Sequence, residues 1–516
     1  MPETDPGAPE QAPAGFARVA VLGTGWATAQ TVVNKFGTLF ATWIIARQLT
    51  SDEVGAASLA IFVTKFLSVL PPLNMGDVLI SHGPRFGWMS SAASRIALQT
   101  GISLTLLSVA LSPLVSAFYS QYPGSLFVGL LVVAAFRPLG ESLQVRPLTE
   151  LRLGFQNRTI AIVDGTVQLA ATLLTIGMAV AHMGAWAMVL PQIVAASVKG
   201  ICYRLRCDSW RAQSSNTRAV RPARRITMRR LRREFAAASG AQYVHSMVDT
   251  LPMLVLGKFA TESETGFYAF SFNLAAQANT MVASQISSVL QPVLGRMKGD
   301  PTRQVNGYLR AMRMLSALAV PVCLTQAVFG ETLFELLFDA KWQPAARVFS
   351  ILSLSESFFF AAAPTMAMLK AQGRFNTFLG WQACQFIVSL AIFPLAATHG
   401  AALAVAMCAA AIWTISLPIA VWLGIRHSEK SIWDAVRVFI APWCTALPIA
   451  VATWLLAAKL GGFGTWGHAA ALALLAPLSL VLMLLATRIS QPTVYHEAAP
   501  IIVSIAKRVL NRIRRA

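Results

Sequence analysis

Apolar stretches of about twenty residues recur along the whole chain, separated by short polar segments. A helix needs about 20 mostly apolar residues to cross the hydrocarbon core of a bilayer. On that length the pattern predicts about fourteen membrane-spanning helices, near residues 22–46, 54–76, 94–118, 125–147, 158–181, 184–203, 235–257, 266–290, 306–329, 345–368, 375–396, 400–423, 435–458 and 466–487. Several carry Pro or polar residues, which helical bundles tolerate when neighbouring helices satisfy the freed backbone groups.

Composition agrees with this pattern. Of the 516 residues 55% are hydrophobic and only 12% charged, about half the charged share of an average soluble domain. The net charge of +20 would suggest nucleic acid in a soluble protein. Here the basic residues lie between apolar spans, and membrane orientation accounts for them. With the N-terminus placed inside, 33 of the 42 Lys and Arg fall in inner segments and five in outer loops. That asymmetry is a strong positive-inside signal. It predicts a multi-pass membrane protein with cytoplasmic N- and C-termini.

The segments outside the spans divide the chain. Residues 1–15, rich in Pro, Ala, Glu and Gly, read as a disordered tail rather than a signal peptide. A six-helix unit over 16–203 is followed by a basic linker at 204–234 that holds eleven Arg. A second six-helix unit covers 235–425, two further spans cover 426–487, and a basic tail occupies 488–516. The linker and tail suit anionic lipid headgroups, and IIVSIAKRVLNRIRRA at the end reads as an amphipathic surface helix.

The two units resemble each other. RQLTSDEVGAASLA at 47–60 aligns with KFATESETGFYAFS at 258–271 at an offset of 211, which pairs Thr50 with Thr261, Glu53 with Glu264 and Gly55 with Gly266. LRLGFQNRT at 151–159 aligns with LKAQGRFNT at 369–377 at an offset of 218. Six spans is an even number, so the repeats share one orientation, and an axis along the membrane normal relates them. Such a repeat suits two bundles rocking about a site between them.

Neither HExxH nor a phosphate-binding GxxxxGK[ST] motif occurs in the sequence, so nothing points to hydrolytic chemistry or ATP use. The six cysteines form no CxxC pair, and no metal or cofactor is expected. The informative residues are the charges inside spans, each of which costs about 2.5–3.5 kcal/mol at a bilayer centre. Lys35, beside Asn34, and Lys65 lie mid-span without an acidic residue one turn away. Both are candidates to line a cationic cavity, which would attract a diphosphate. Arg137 and Glu141 are spaced to neutralise each other, with Arg137 a further cavity candidate. Asp249, one turn after His245, and Glu356 are candidates for ion coupling, and Asp164 reads as structural. The amides Asn273, Gln277, Asn279, Gln285 and Gln291 make the eighth span polar enough to line a cavity or to join helices.

RQLTSDEVGAASLA, followed by LNMGDVLI, resembles the corresponding element of the Wzx-type polysaccharide flippases of the MOP superfamily. GKFATESETGFYAFSFNL, FDAKWQPAARVFSILSL and LKAQGRFNT resemble that family's later elements, and coverage runs from about residue 16 to 425. Phe338-Asp339-Ala340 departs from the family's Gly before the Trp, and Lys258 precedes its usual small residue. The resemblance implies an all-α integral membrane fold of two pseudo-symmetric six-helix bundles facing a central cavity, with two extra C-terminal helices. It implies export of an undecaprenyl-diphosphate-linked oligosaccharide for lipopolysaccharide, capsule or exopolysaccharide. It also implies no enzyme activity, a place in a bacterial inner membrane, and a polysaccharide polymerase and chain-length regulator as partners; a monomer is the default expectation, since the cleft would lie within one chain.

Three alternatives stay open on sequence. A multidrug-and-toxin-extrusion-type cation antiporter would want an anionic cavity, which Asp249 and Glu356 allow and Lys35 and Lys65 oppose. A lipid II flippase would share the cationic cavity. A membrane-embedded glycosyltransferase or polymerase would want a large outer loop, and the longest here, near 330–344, is short.

Overall fold

A computed structural model describes residues 34–68, 75, 86–153, 156–213, 228–297, 299–426, 428 and 430–491. The N-terminal tail, the middle of the basic linker and the basic C-terminal tail expected from sequence lie outside these residues.

The described residues are helical almost throughout. In the first half, α1 covers 34–48, α2 Ser51–Leu67, α3 Phe86–Phe118, α4 Gly124–Ala134, α5 Arg137–Leu153, α6 Asn157–Val180 and α7 Trp186–Gln213. In the second half, α8 covers Met228–Phe259, α9 Glu262–Arg296, α10 Pro301–Val328, the short α11 Gly330–Leu337, α12 Gln343–Ala371 and α13 Phe375–Ile425. α14 spans Ile432–Gly461, α15 Thr465–Ala470 and α16 Ala476–Ser490, the last two joined by a π-helical turn at Ala471–Leu475.

Among the described residues nine helical segments are long and apolar enough to cross a membrane. One of them is a 50-residue run at Asn376–Ile425. It breaks at Gly400 and Ala401, where Ala401 takes φ 47° and ψ −135°, so it holds two of the expected crossings. The expected 125–147 span is also broken, between α4 and α5. The expected spans at 235–257 and 266–290 are present as helices of 32 and 35 residues. They are not among the nine.

Helices of each half pack mainly on one another: α5 on α3 and α7 and α6 on α7 in the first, α12 on α9, α10 and α13 in the second. α2 crosses to pack along α8 and α9, and α14 packs on α10 with α16 behind it. A core shared by both halves surrounds Phe270, Phe334 and Trp342, and it includes Ala46, Leu49 and Val54 from the first half. Apolar side chains also crowd the outer surface of the C-terminal helices, where Trp466 is 85% exposed and Ile415 and Trp433 are exposed as well. Such a surface suits lipid rather than water.

Candidate functional site

The two halves meet most tightly at the end carrying Arg47 and Lys258. α2 begins with a capping box in which Thr50 and Glu53 each bond the other's backbone N–H, and the hydroxyl of Thr261 likewise accepts from the Glu264 N–H at the start of α9. These starts touch. Ser263 Oγ donates to Asp52 Oδ1, and Gly55 lies against the backbone of Glu262 and Gly266. A Cβ on Gly55 would stand 2.2 Å from Glu262 O, and one on Gly266 would stand 2.0 Å from Ser51 O. The backbones approach this closely only because both positions are glycine.

The rest of the seal uses backbone carbonyls. The buried Trp342 donates its indole N–H to Ala46 O at 2.7 Å, and Lys341 Nζ donates to Arg47 O at 3.1 Å. Both carbonyls belong to the last turn of α1, whose acceptors have no partner within the helix. The second half thus caps a helix of the first. Trp43 donates to Leu337 O at 3.0 Å, Lys258 to Phe118 O at 2.6 Å, and Gln121 to Gly257 O. Burial, and after it the nearby Asp52, pushes the Glu262 carboxyl above its ordinary pKa.

Beyond this contact, charged residues on helices of both halves act on one another. Lys65, exposed near the end of α2, has its Nζ 5.8 Å from the Phe62 ring centroid. Its charge is attracted by Asp249 of α8 and repelled by Arg137 of α5. Asp249 also interacts with His245, one turn earlier, and both Asp249 and Glu356 of α12 act on the buried Tyr268. His245 Nδ1 lies 2.6 Å from Gln382 Nε2 of α13, and its ring stacks on Phe359. Tyr243 donates to Phe66 O at 2.6 Å, tying α8 to α2 near Lys65. Electrostatic interactions thus link Lys65 with Arg137 and Asp249, and Tyr268 with Asp249 and Glu356; these four charged residues are among the six expected from sequence.

A cavity of about 400 Å³ opens within the first half, between α1, α5, α6 and α7. Arg137 lines it and is paired with Glu141 at 2.9 Å, the i, i+4 partner expected from spacing. Lys199 lines it too, paired with Asp164 at 3.2 Å. Asn34 and Lys35 sit one turn before Thr38, a lining residue, and are not part of the lining themselves. Of the lining amides, Gln168 stands out in the sequence as a polar residue inside a span, at i, i+4 from Asp164, while Gln144 and Gln192 were not singled out, although polar side chains within otherwise apolar spans are the signal for them too. No group of three or more His, Cys, Asp or Glu among the described residues is placed to hold a metal ion.

Two helical lobes built of helices long and apolar enough to cross a membrane, in close contact at one end, give the architecture of a multi-pass membrane transporter. The sequence pattern of the family described as "Polysaccharide biosynthesis protein" matches residues 44–347, more than half of the chain. The chain belongs to that family. It is 21% identical over 453 residues to the succinoglycan biosynthesis transport protein ExoT of Rhizobium meliloti, covering 86% of this chain and 88% of that protein. It is 20% identical over 406 residues to the teichuronic acid biosynthesis protein TuaB of Bacillus subtilis, covering 78% and 81%. Among solved structures, the lipid II flippase MurJ in an inward closed conformation superposes with a TM-score of 0.68 at 10% identity, over 92% of this chain and 99% of that one. An inward-facing multidrug MATE transporter of the MOP superfamily superposes with a TM-score of 0.52 at 13% identity, over 78% and 94%. At these identities the two structures speak for the fold.

Proposed function

We propose that the protein is a flippase that moves an undecaprenyl-diphosphate-linked oligosaccharide across a bacterial inner membrane for lipopolysaccharide, capsule or exopolysaccharide synthesis. The observation that carries this reading is membership of a polysaccharide biosynthesis family, and the cations Lys65 and Arg137, which act on each other, support it. A diphosphate entering between the lobes would meet the cation Lys65, while Arg137 stays paired with Glu141. The transport role named for ExoT and the polymer named for TuaB support a saccharide cargo. The domain boundaries read from sequence, the cytoplasmic termini and a monomer complete the reading, with a polymerase and a chain-length regulator as downstream partners. Lys35 and Asn34 on α1 extend the cationic path, and Asp249 and Glu356 are the candidates for ion coupling.

A second reading, a cation antiporter, is favoured by one observation: Asp249 and Glu356 both act on Tyr268 within the second lobe. Deletion of the gene separates the two. Loss of surface polysaccharide with the lipid-linked oligosaccharide trapped on the cytoplasmic face, rescued by the wild type but not by Lys65→Ala at matched expression, supports the flippase. Normal polysaccharide with new sensitivity to cationic drugs refutes it in favour of the antiporter.

A further inference from the structure

We propose that the cavity between α1, α5, α6 and α7 is a binding pocket for a neutral pyranose, the sugar nearest the diphosphate. This rests on the flippase reading and adds to it a place and a chemical class for the sugar. About 400 Å³ lies within the usual range of small-molecule pockets, roughly 300–1,000 Å³. It has room for one or two sugar rings and not for a whole polymer repeat.

The wall chemistry selects the ligand. Thr38 donates its hydroxyl proton to Asn34 O at 2.8 Å, Thr42 to Thr38 O at 2.8 Å and Thr172 to Gln168 O at 2.9 Å. With its proton committed, each hydroxyl faces the cavity as an acceptor. Gln144 uses one amide hydrogen on Ala196 O at 2.7 Å. Among the described residues no protein group engages the side-chain amide of Gln168, which keeps both donors and its acceptor for a ligand. Alanines of α6 and α7 supply an apolar wall. A ring with hydroxyls around its edge and C–H bonds on its faces matches both surfaces.

The charges exclude the alternatives. Each cation on the lining has a carboxylate partner, Arg137 with Glu141 and Lys199 with Asp164, so the pocket is neutral as a whole. A uronate would have to break one of these pairs, and a hydrophobic cation would strand the amides and hydroxyls without partners. Arg137 belongs to the pocket and also acts on Lys65. A diphosphate held at Lys65 would leave its first sugar at the pocket.

The test is calorimetric titration of the full-length protein in detergent with geranyl diphosphate, glucosyl geranyl diphosphate and glucuronosyl geranyl diphosphate. The expected result is that glucose tightens binding about tenfold over the bare diphosphate, the weight of one or two net hydrogen bonds, while glucuronate adds nothing. Gln168→Leu and, separately, Thr172→Val should each reduce the glucose increment and leave affinity for geranyl diphosphate unchanged, which also shows that the variants are folded. An increment that survives both substitutions, or a preference for glucuronate, overturns the pocket while sparing the flippase reading. Failure of the wild type to bind any of the three compounds overturns both.

Discussion

The tight crossing of α2 and α9 can be forced apart by a single methyl group. In Gly55→Ala the new Cβ would stand 2.2 Å from Glu262 O, and in Gly266→Ala it would stand 2.0 Å from Ser51 O, where ordinary contact begins near 3.4 Å. In each case backbone must retreat by more than an ångström, because the obstructing atom is a carbonyl oxygen and not a movable side chain. Overpacking of this kind costs about 1–3 kcal/mol. The cost falls only on the state in which the two helices touch, so it shifts the population toward separation by roughly 5- to 150-fold. The contact between Asp52 and Ser263 provides the readout. In a background lacking the six native cysteines, the pair Asp52→Cys and Ser263→Cys should form a disulfide readily in membranes. Adding Gly55→Ala should slow that cross-linking at least fivefold and lower saccharide export. Cross-linking at the parent rate in both alanine variants would refute the claim that the glycines permit closure.

Further outcomes follow from the same end of the molecule. Glu262 is held above its ordinary pKa first by burial and then by Asp52, so its protonated form favours the closed contact; that contribution is present at low pH and is lost as pH rises through the raised pKa. The closed population, read by the distance between spin labels placed away from the contact with Asp52 intact, should therefore fall with rising pH, and Glu262→Gln should flatten the profile; an unchanged profile would remove Glu262 from the contact. Trp342→Phe keeps most of the ring but leaves Ala46 O without its 2.7 Å donor in a fully buried site, which costs about 1–3 kcal/mol and should lower the melting temperature in detergent. Ala401 occupies a backbone region that favours glycine, with φ 47° and ψ −135°, so Ala401→Gly should stabilise the protein by about 1 kcal/mol or more; a lower melting temperature would contradict that strain.

The helices and their repeat were legible because hydropathy and spacing are local. So was the Arg137–Glu141 pair, whose i, i+4 spacing is realised at 2.9 Å. Lys65 was legible only in part. Its isolation within α2 marked it as a candidate, while the acidic group acting on it, Asp249, comes from a helix of the other lobe. No spacing rule within one helix reaches from one lobe to the other. The indole of Trp342 is a similar case: the motif containing it was visible, while its partner, Ala46 O, lies 296 residues away on α1.

The repeat offers a route to such long-range contacts that a search within single helices cannot. Where an approximate two-fold axis passes between two equivalent helices, a residue beside the axis meets the other repeat's copy of itself. The alignment offset then becomes the sequence separation of a physical contact. Asp52 and Ser263 are separated by 211 residues, the offset of the first aligned segment, and they are bonded; Gly55 and Gly266 have the same separation, and their backbones touch. The glycines were matched from sequence as equivalent positions, and equivalence alone does not say that they meet. What places them on the axis is that both are glycine at the start of a helix, each followed by apolar residues. Two backbones can approach this closely only where neither helix carries a side chain, so a Gly–Gly match within an internal repeat marks the point where the two lobes close on each other.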